Sequence, residues 1–597
     1  MPVVTTQKYH THSAKQFVES LTEGFRTYGA NTITANANST VLTISGNVFS
    51  TMRVGDILIV NTESRLINAI ASNGTSVTVN SAFSTAITTQ LFKTRELLAA
   101  YDSYYLFIGR STPWANSDTS PETPTDTINN SAYDYLRDTI AIRRITDTDV
   151  VYVVPRHTWS NGSYYMMYDH RTTANAVLSN TTHFSYVHTS TDDVFKCVFN
   201  GRTTSNDSTI PASISEPSIT DVSSPSDLVT TTAEDEKLYR WKYMYSLSPT
   251  DIDKFVTADF MPVRDASDTI DTATGDVQAD SSSGYLSFND ARNTGNGAIY
   301  EIVVDVGGTL YANTPSVNIV GDGTGALATA EMTGNVVTGI HMVAYGTNYS
   351  FANVTITGGN TAAQPVRPYT VNSVASINAT ATAIISPRNT FSNTSGTYYV
   401  SNHSISNKDE LYAHRVLLYV ELADDEGGRV TTANEYRRIG ILKNPLLLNG
   451  EVASANVYDM STILTVVTAG KFTKDEIVCQ SVTGAYGVVV EHEASVLKLV
   501  HVSRQPFLIT GDTTITGIGN GNSNSEIYRT LSGNAVPSAL PAPFTSAVVA
   551  SSVTATVLAV EVAPILPFTG EVLYVNQVQP IFRGNNQTEA IRTILTF

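Results

Sequence analysis

The sequence predicts a mostly β protein: antiparallel β-sandwich-like domains that carry small inserted β modules, with few short helices. Three observations predict it. Charged residues make up only 15% of the chain, against about 25% in typical soluble domains. Thr, Asn and Ser fill the gap, and such a surface suits strands and turns more than exposed helices. Short apolar runs bounded by Gly, Pro, Asn and Asp recur along the chain, as strands separated by turns do. Finally, aromatic residues collect in three dense blocks, 104–114 (YYLFIGRSTPW), 153–159 (VVPRHTW) and 241–247 (WKYMYSL), and each holds one of the three tryptophans. Large rings bury the most apolar area per residue, so the three blocks are expected to share one core.

At 597 residues the length prior is about four domains. The formal net charge is 36 − 54 = −18. That argues against a nucleic-acid partner, because neutralising phosphates needs clustered Lys and Arg; acidity of this kind serves solubility. The two cysteines, Cys197 and Cys479, stand in no metal spacing and exclude a disulfide framework. Both read as small buried apolar residues. The first residues carry no apolar signal core, and no run approaches the ~18 apolar residues of a membrane span. A chain made and folded in a reducing cytoplasm, with no membrane partner, is expected.

Taken in order, residues 1–30 form an N-terminal helix or arm of the core. Ser13 with Gln16 suggests a capping box, and Phe17, Leu21 and Phe25 an apolar stripe. Residues 31–94 are an inserted β module, with strands at 41–44 (VLTI), 56–60 (DILIV) and 76–80 (SVTVN) and turns at Gly46, Gly55 and Gly74. Residues 95–265 are the core module. Its strand 104–108 is broken by the turn residues that follow, and 149–154 (DVVYVV) is a continuous apolar run covered on both faces. Two polar loops, 115–130 and 203–233, interrupt it and are exposed or ordered by a partner.

Residues 266–400 hold an acidic linker and an inserted β-repeat module over 284–390. Gly308 and Gly346 start two similar units, 346 − 308 = 38 residues apart. Tyr311 and Tyr349 follow, then Val317-x-Ile319 and Val354-x-Ile356. Two units are too few for a solenoid, so a compact module is expected. Residues 401–455 return to the core through 414–422 (HRVLLYVEL) and 436–446 (YRRIGILKNPL). Residues 456–563 add further β modules, with strands at 487–491, 497–502 and 552–562. Residues 564–597 are read as a C-terminal strand pair closing the core, with Ile591, Thr593, Leu595 and Phe597 on one strand face.

The aromatic blocks, Phe195–Lys196–Cys197, Glu216–Pro217, the 436–446 segment and the last 28 residues stand in a characteristic order. The last segment is the most specific, through Gly570–Glu571, Leu573–Tyr574, Pro580, Gln587–Thr588–Glu589 and Phe597. Together they resemble the gene-product-8 baseplate wedge subunit of T4-like contractile-tailed phages. The resemblance covers about residues 95–262 and 410–450 plus the final segment, and does not extend to the inserted modules. It implies a structural virion protein of the tail baseplate, assembled in the host cytoplasm. It further implies a homodimer that contacts neighbouring wedge subunits, the family's proteins 6, 7 and 10.

No HExxH, CxxC, GxSxG or Walker loop is present. His10 and His12 would share a strand face but lack a third ligand. Glu491–His492–Glu493 has metal-ligand residue types and is read as a strand end at the surface. Gly321, Gly323 and Gly325 mimic a phosphate loop without a following helix, so a turn is preferred. Asp424, Asp425 and Glu426 could pair for glycoside cleavage, but Gly427 and Gly428 make a hairpin tip the better reading. Arg110 and Arg156 are read as structural, holding ion pairs or loop carbonyls. No catalytic, cofactor-binding or metal-ligating residue is assigned, and no enzyme is expected. A carbohydrate-binding tail adhesin and a polysaccharide-degrading tail enzyme are the alternatives of other classes.

Overall fold

The fold is mostly β. The computed structural model describes residues 6–22, 25–46, 52–60, 63–83, 85–95, 102–109, 114, 117, 119–127, 130–171, 185–201, 210–221, 228–263, 297–358, 378–386, 391–394, 397–400, 411–422, 435–468, 470–474, 477–480, 485–500, 502, 506–509, 526–532, 547–582 and 588–597. The chain divides into two compact units: Met1–Gln16, Val150–Tyr419 and Arg592–Phe597; and Phe17–Asp149 with Val420–Ile591. Every strand pairing with a described register is antiparallel, as the alternation of short strands and turns leads one to expect.

The second unit is built on a five-stranded sheet. Its order is Val457–Asp459, Thr139–Arg144, Tyr104–Gly109, Glu435–Lys443, Glu571–Phe582. Tyr104–Gly109 is buried at every residue, which explains why its sequence is a continuous apolar run and not an alternating one. Gly440 faces Phe107 across the sheet. A Cβ at Gly440 would lie 2.3 Å from the Phe107 ring and 2.4 Å from the Tyr574 carbonyl oxygen, so only glycine lets this strand pass.

Two closed six-stranded barrels belong to the same unit, over 25–95 and 462–561. The strands expected at 41–44, 56–60 and 76–80 are present as Val41–Ile44, Ile57–Val60 and Ser76–Val79, with alternate residues turned inward. Closure comes from Phe25–Ala35 pairing with Ile87–Arg95. Number each barrel's strands one to six in chain order. The first closes as 1-2-5-4-3-6 and the second as 1-4-3-2-5-6. Moving each number of the first back by one, with one becoming six, gives the second. The two barrels share one neighbour pattern, begun one strand apart. Each has its own core, around Ile33, Leu42, Leu58 and Met52 in one and Leu464, Val478, Leu499 and Phe472 in the other.

The first unit holds three four-stranded sheets. One runs Phe260–Val263, Val150–Pro155, Arg415–Leu422, Glu589–Thr596; another Tyr186–His188, Asp193–Asn200, Leu238–Ser246, Leu228–Thr232. The third, Ile299–Val306, Thr380–Ile385, Ala352–Thr357, Ser316–Gly321, contains the repeat. The strands of its two units pair with each other, Val317 opposite Ile356 and Ile319 opposite Val354. Gly308 and Gly346 have φ of 67° and 63°, and Leu310 and Asn348 follow at 63° and 66°. The same left-handed turn thus drives Tyr311 and Tyr349 into the interior in both units.

Several expectations are corrected. The three tryptophan blocks do not share one core. Trp241 and Trp159 belong to one cluster, whereas Trp114 is buried in the other unit, its indole donating to the Val578 carbonyl at 3.1 Å. The helix spans Gln7–Thr22 and starts well before Ser13, because Thr6 caps it by accepting from the Tyr9 amide. Ser13 Oγ instead bonds back to the Tyr9 carbonyl at 2.9 Å, and Phe25 opens a barrel strand. The two C-terminal strands do not pair: Glu571–Phe582 joins Glu435–Lys443, and Glu589–Thr596 joins Arg415–Leu422. The final strand is tied into a sheet all the same, and the Phe597 amide donates to the His414 carbonyl.

Candidate functional site

The sheet that holds Trp241 also carries an unusual set of buried cations, on the face opposite Trp241. Alternation along antiparallel strands puts Lys196 directly opposite Lys242, and both are fully buried. Lys196 Nζ lies 3.7 Å from the Tyr168 ring centre and 5.6 Å from that of Tyr300. Lys242 Nζ donates to the Tyr300 hydroxyl at 3.2 Å. Arg240 stands over Phe199 at 4.8 Å and forms an ion pair with Glu301. Tyr300 and Glu301 both come from the strand Ile299–Val306. Burial pushes the Glu301 carboxyl up to about 7, against the opposing pull of Arg240.

Rings facing cations replace some of the hydration those cations lose, so the arrangement fixes one sheet on another in a single register. Tyr300, Val303 and Ile384 thereby join the cluster around Trp241. Within the 284–390 segment, the described residues 297–358 and 378–386 have a core of their own and also complete that of their neighbour, which a purely self-contained module would not do. A cleft beside the junction is lined by Phe199, Arg240, Glu301, Thr338 and Ile340, with an interior volume of about 30 Å³. That is room for water, not for a sugar ring.

The residues singled out in the sequence fall apart in space. His10 and His12 lie on a helix, where positions two apart face different sides. His10 Nδ1 is 2.6 Å from the Phe597 oxygen, while His12 is exposed. Glu491 to Glu493 end the strand Ala485–Glu493, but not as a wholly exposed end. His492 is buried, its Nδ1 accepting from the Phe472 amide at 2.9 Å, and burial holds its pKa below the ordinary value. Among the described residues no group of three His, Cys, Asp or Glu is placed to hold a metal ion.

The glycine run forms a strand-to-strand turn. Asp322 accepts from the Ser350 and Phe351 amides, and a Cβ at Gly323 would lie 2.4 Å from Tyr349. Asp424, Asp425, Glu426 and Arg110 lie outside the described residues. The flanking strands, Arg415–Leu422 and Glu435–Lys443, belong to different sheets. Arg156 donates to the Thr257 carbonyl at 3.2 Å. Glu216 accepts from the Ser190 amide and hydroxyl at 2.7 and 2.8 Å, pinning a loop. Cys197 is buried outside any disulfide, its thiol donating to the Phe199 carbonyl at 3.4 Å.

The buried lysines and Glu301 drew no attention in the sequence, because a Lys or Glu inside a strand ordinarily marks the solvent face. The one signal was their position inside dense aromatic runs. Neither a scan against protein-family models nor a search of curated proteins returns a match for this chain.

Proposed function

We propose that the chain is a structural virion protein, a subunit of the tail baseplate wedge of a contractile-tailed phage. In this reading it acts as a homodimer that bridges neighbouring wedge subunits, the family's proteins 6, 7 and 10, and holds the baseplate in its arrangement before contraction. The supporting observation is the convergence of the family-like segments. Three of them, far apart in the chain, are adjacent strands of one sheet: Tyr104–Gly109, Glu435–Lys443 and Glu571–Phe582. Two more pair strand to strand, Cys197 opposite Trp241 and Phe195 opposite Tyr243. Matches arising by chance have no reason to become spatial neighbours.

The test is assembly. The purified chain is expected to scatter light as a dimer and to retain the wedge neighbours in a pull-down from a co-expression. A monomer that retains none of them overturns the proposal. An image of the assembled particle with this chain located at the tail fibres, away from the baseplate, would favour the adhesin instead.

A further inference from the structure

A second buried charged group lies on the 462–561 barrel. Leu497 and Leu499 belong to the barrel core, so alternation turns Lys498 outward. There it meets Asp459, the last residue of the strand Val457–Asp459 at the edge of the five-stranded sheet. Glu491 stands directly across from Lys498 on the neighbouring strand, and Ile463 flanks it on the other side. Lys498 Nζ is 3.3 Å from Asp459 Oδ2 and 3.6 Å from Glu491 Oε2. The three side chains are only 10%, 11% and 14% exposed. Asp459 Oδ1 is held separately, accepting from the Ser461 amide at 2.7 Å and from its hydroxyl at 2.5 Å. Oδ2 has the lysine beside it but no aligned hydrogen bond.

We propose that this trio is an amide-forming site, in which Lys498 Nζ and the Asp459 carboxyl condense into an intramolecular isopeptide bond with Glu491 relaying the proton. Burial disfavours the charged forms, and both carboxyls are held above their ordinary values by it, against the pull of Lys498. Transfer of the ammonium proton to a carboxylate gives a neutral amine beside a neutral acid. The Nζ lone pair attacks Asp459 Cγ and the N–C bond forms. The Cγ–Oδ1 π pair moves onto Oδ1, where the two Ser461 donors receive the developing charge as an oxyanion hole does. Glu491 takes a proton from Nζ and delivers it to Oδ2. The Cγ–Oδ2 bond then breaks, Oδ2 leaves as water with the bonding pair, and the carbonyl reforms. An ammonium and a carboxylate become an amide and one water, with no change in oxidation state. Holding nucleophile and carboxyl in contact supplies the effective concentration that condensation lacks in bulk water.

Two other Lys–Asp pairs in the same unit, Lys93–Asp147 and Lys443–Asp102, have both side chains 26–31% exposed. Water reaches both partners there, and neither pair joins the proposal. The bond would fasten the second barrel covalently to the five-stranded sheet.

The intact, full-length chain is expressed, purified, denatured and weighed by mass spectrometry, then digested. The expected mass is lighter than the sequence by one water, and the digest contains a branched peptide joining the segment of Asp459 to that of Lys498. Glu491→Gln is expected to give the full mass with the two peptides separate. Asp459→Asn is expected to lose ammonia in place of water and yield the same branched peptide. A wild-type chain of full mass, or one that lost water while the two peptides remain separate, overturns the proposal without recourse to any variant. A Glu491→Gln chain that cross-links as fully as wild type overturns the relay.

Discussion

The two barrels invite comparison, because they share a neighbour pattern and differ in the ion pair each makes, one with the turn that follows Thr139–Arg144 and the other with an edge strand of the five-stranded sheet. The first uses Lys93, on the strand Ile87–Arg95, against Asp147 at 2.6 Å, with side chains 26% and 31% exposed. The second uses Lys498 against Asp459, nearly closed to water and with Glu491 as a third member. The residue types of the basic pair are the same; the solvent differs. In contact with water, an ion pair gains little, because hydration competes with it. Enclosed, the same pair is costly to break, and its neutral forms come within reach of each other.

The largest expected effect is therefore at the second fastener. Lys498→Ala removes the proposed cross-link and leaves the Asp459 and Glu491 carboxyls buried without the lysine, which is expected to cost about 3–5 kcal/mol. Hydrogen exchange on the hairpin Ala485–Glu493 and Val496–Val500 reads this as lost protection. Protection equal to wild type would remove the distinction between the barrels.

Equivalent core positions test the shared closure. Phe472 and Met52 each precede a strand that corresponds under the one-strand offset, Ile477–Gln480 in one barrel and Ile57–Val60 in the other, and both are buried. Phe472→Ala is expected to cost about 3–5 kcal/mol and Met52→Ala about 2–5 kcal/mol, each lowering protection in its own barrel only. A silent Met52→Ala would mean the correspondence is topological and not energetic.

A third charged tie, Arg240–Glu301, lies outside both barrels and serves as a reference. The folded Glu301 value of about 7 lies above its ordinary 4.5, so the native state keeps a proton that the unfolded chain releases. Its contribution is present at low pH and is lost as pH rises through about 7. Urea unfolding followed by tryptophan fluorescence at pH 5 and pH 8 is expected to show a decline on the order of 2 kcal/mol, and Glu301→Gln should flatten it. A stability that rises over this window in wild type would mean that Arg240 dominates over burial.

How much of this was legible follows from what each signal encodes. The barrel strands at 41–44 and 76–79 were visible because period-two alternation and flanking turns are local. Closure was not, since it depends on Phe25 meeting Arg95, a pairing with no local mark. The aromatic blocks marked burial correctly, yet a tryptophan does not say which core it enters: Trp114 and Trp241 lie in different ones. The repeat was legible down to its paired strands, because Gly308 and Gly346 announce a backbone conformation and not merely a composition. Lys498 was hidden by the rule that makes strands readable. Within LKLVHV a lysine between leucines reads as the wet face, and only the approach of Asp459 from another sheet makes that face dry.

The smallest expected effect completes the comparison. Lys93→Ala removes a partly hydrated ion pair, and Asp147, open to water, recovers its solvation when the ammonium goes. The lysine also ceases to spend side-chain entropy on one geometry. These gains nearly cancel the lost attraction, so the cost is expected at about 0.5 kcal/mol, and the wild-type interaction should fade further as salt shortens the screening length. Hydrogen exchange on Phe25–Ala35 and Ile87–Arg95, in low and in high salt, measures it. If Lys93→Ala strips protection from the first barrel as severely as Lys498→Ala does from the second, solvent access is not what separates the two fasteners. The cause would then have to be sought in the segments that receive them, the turn at Asp147–Asp149 and the edge strand Val457–Asp459.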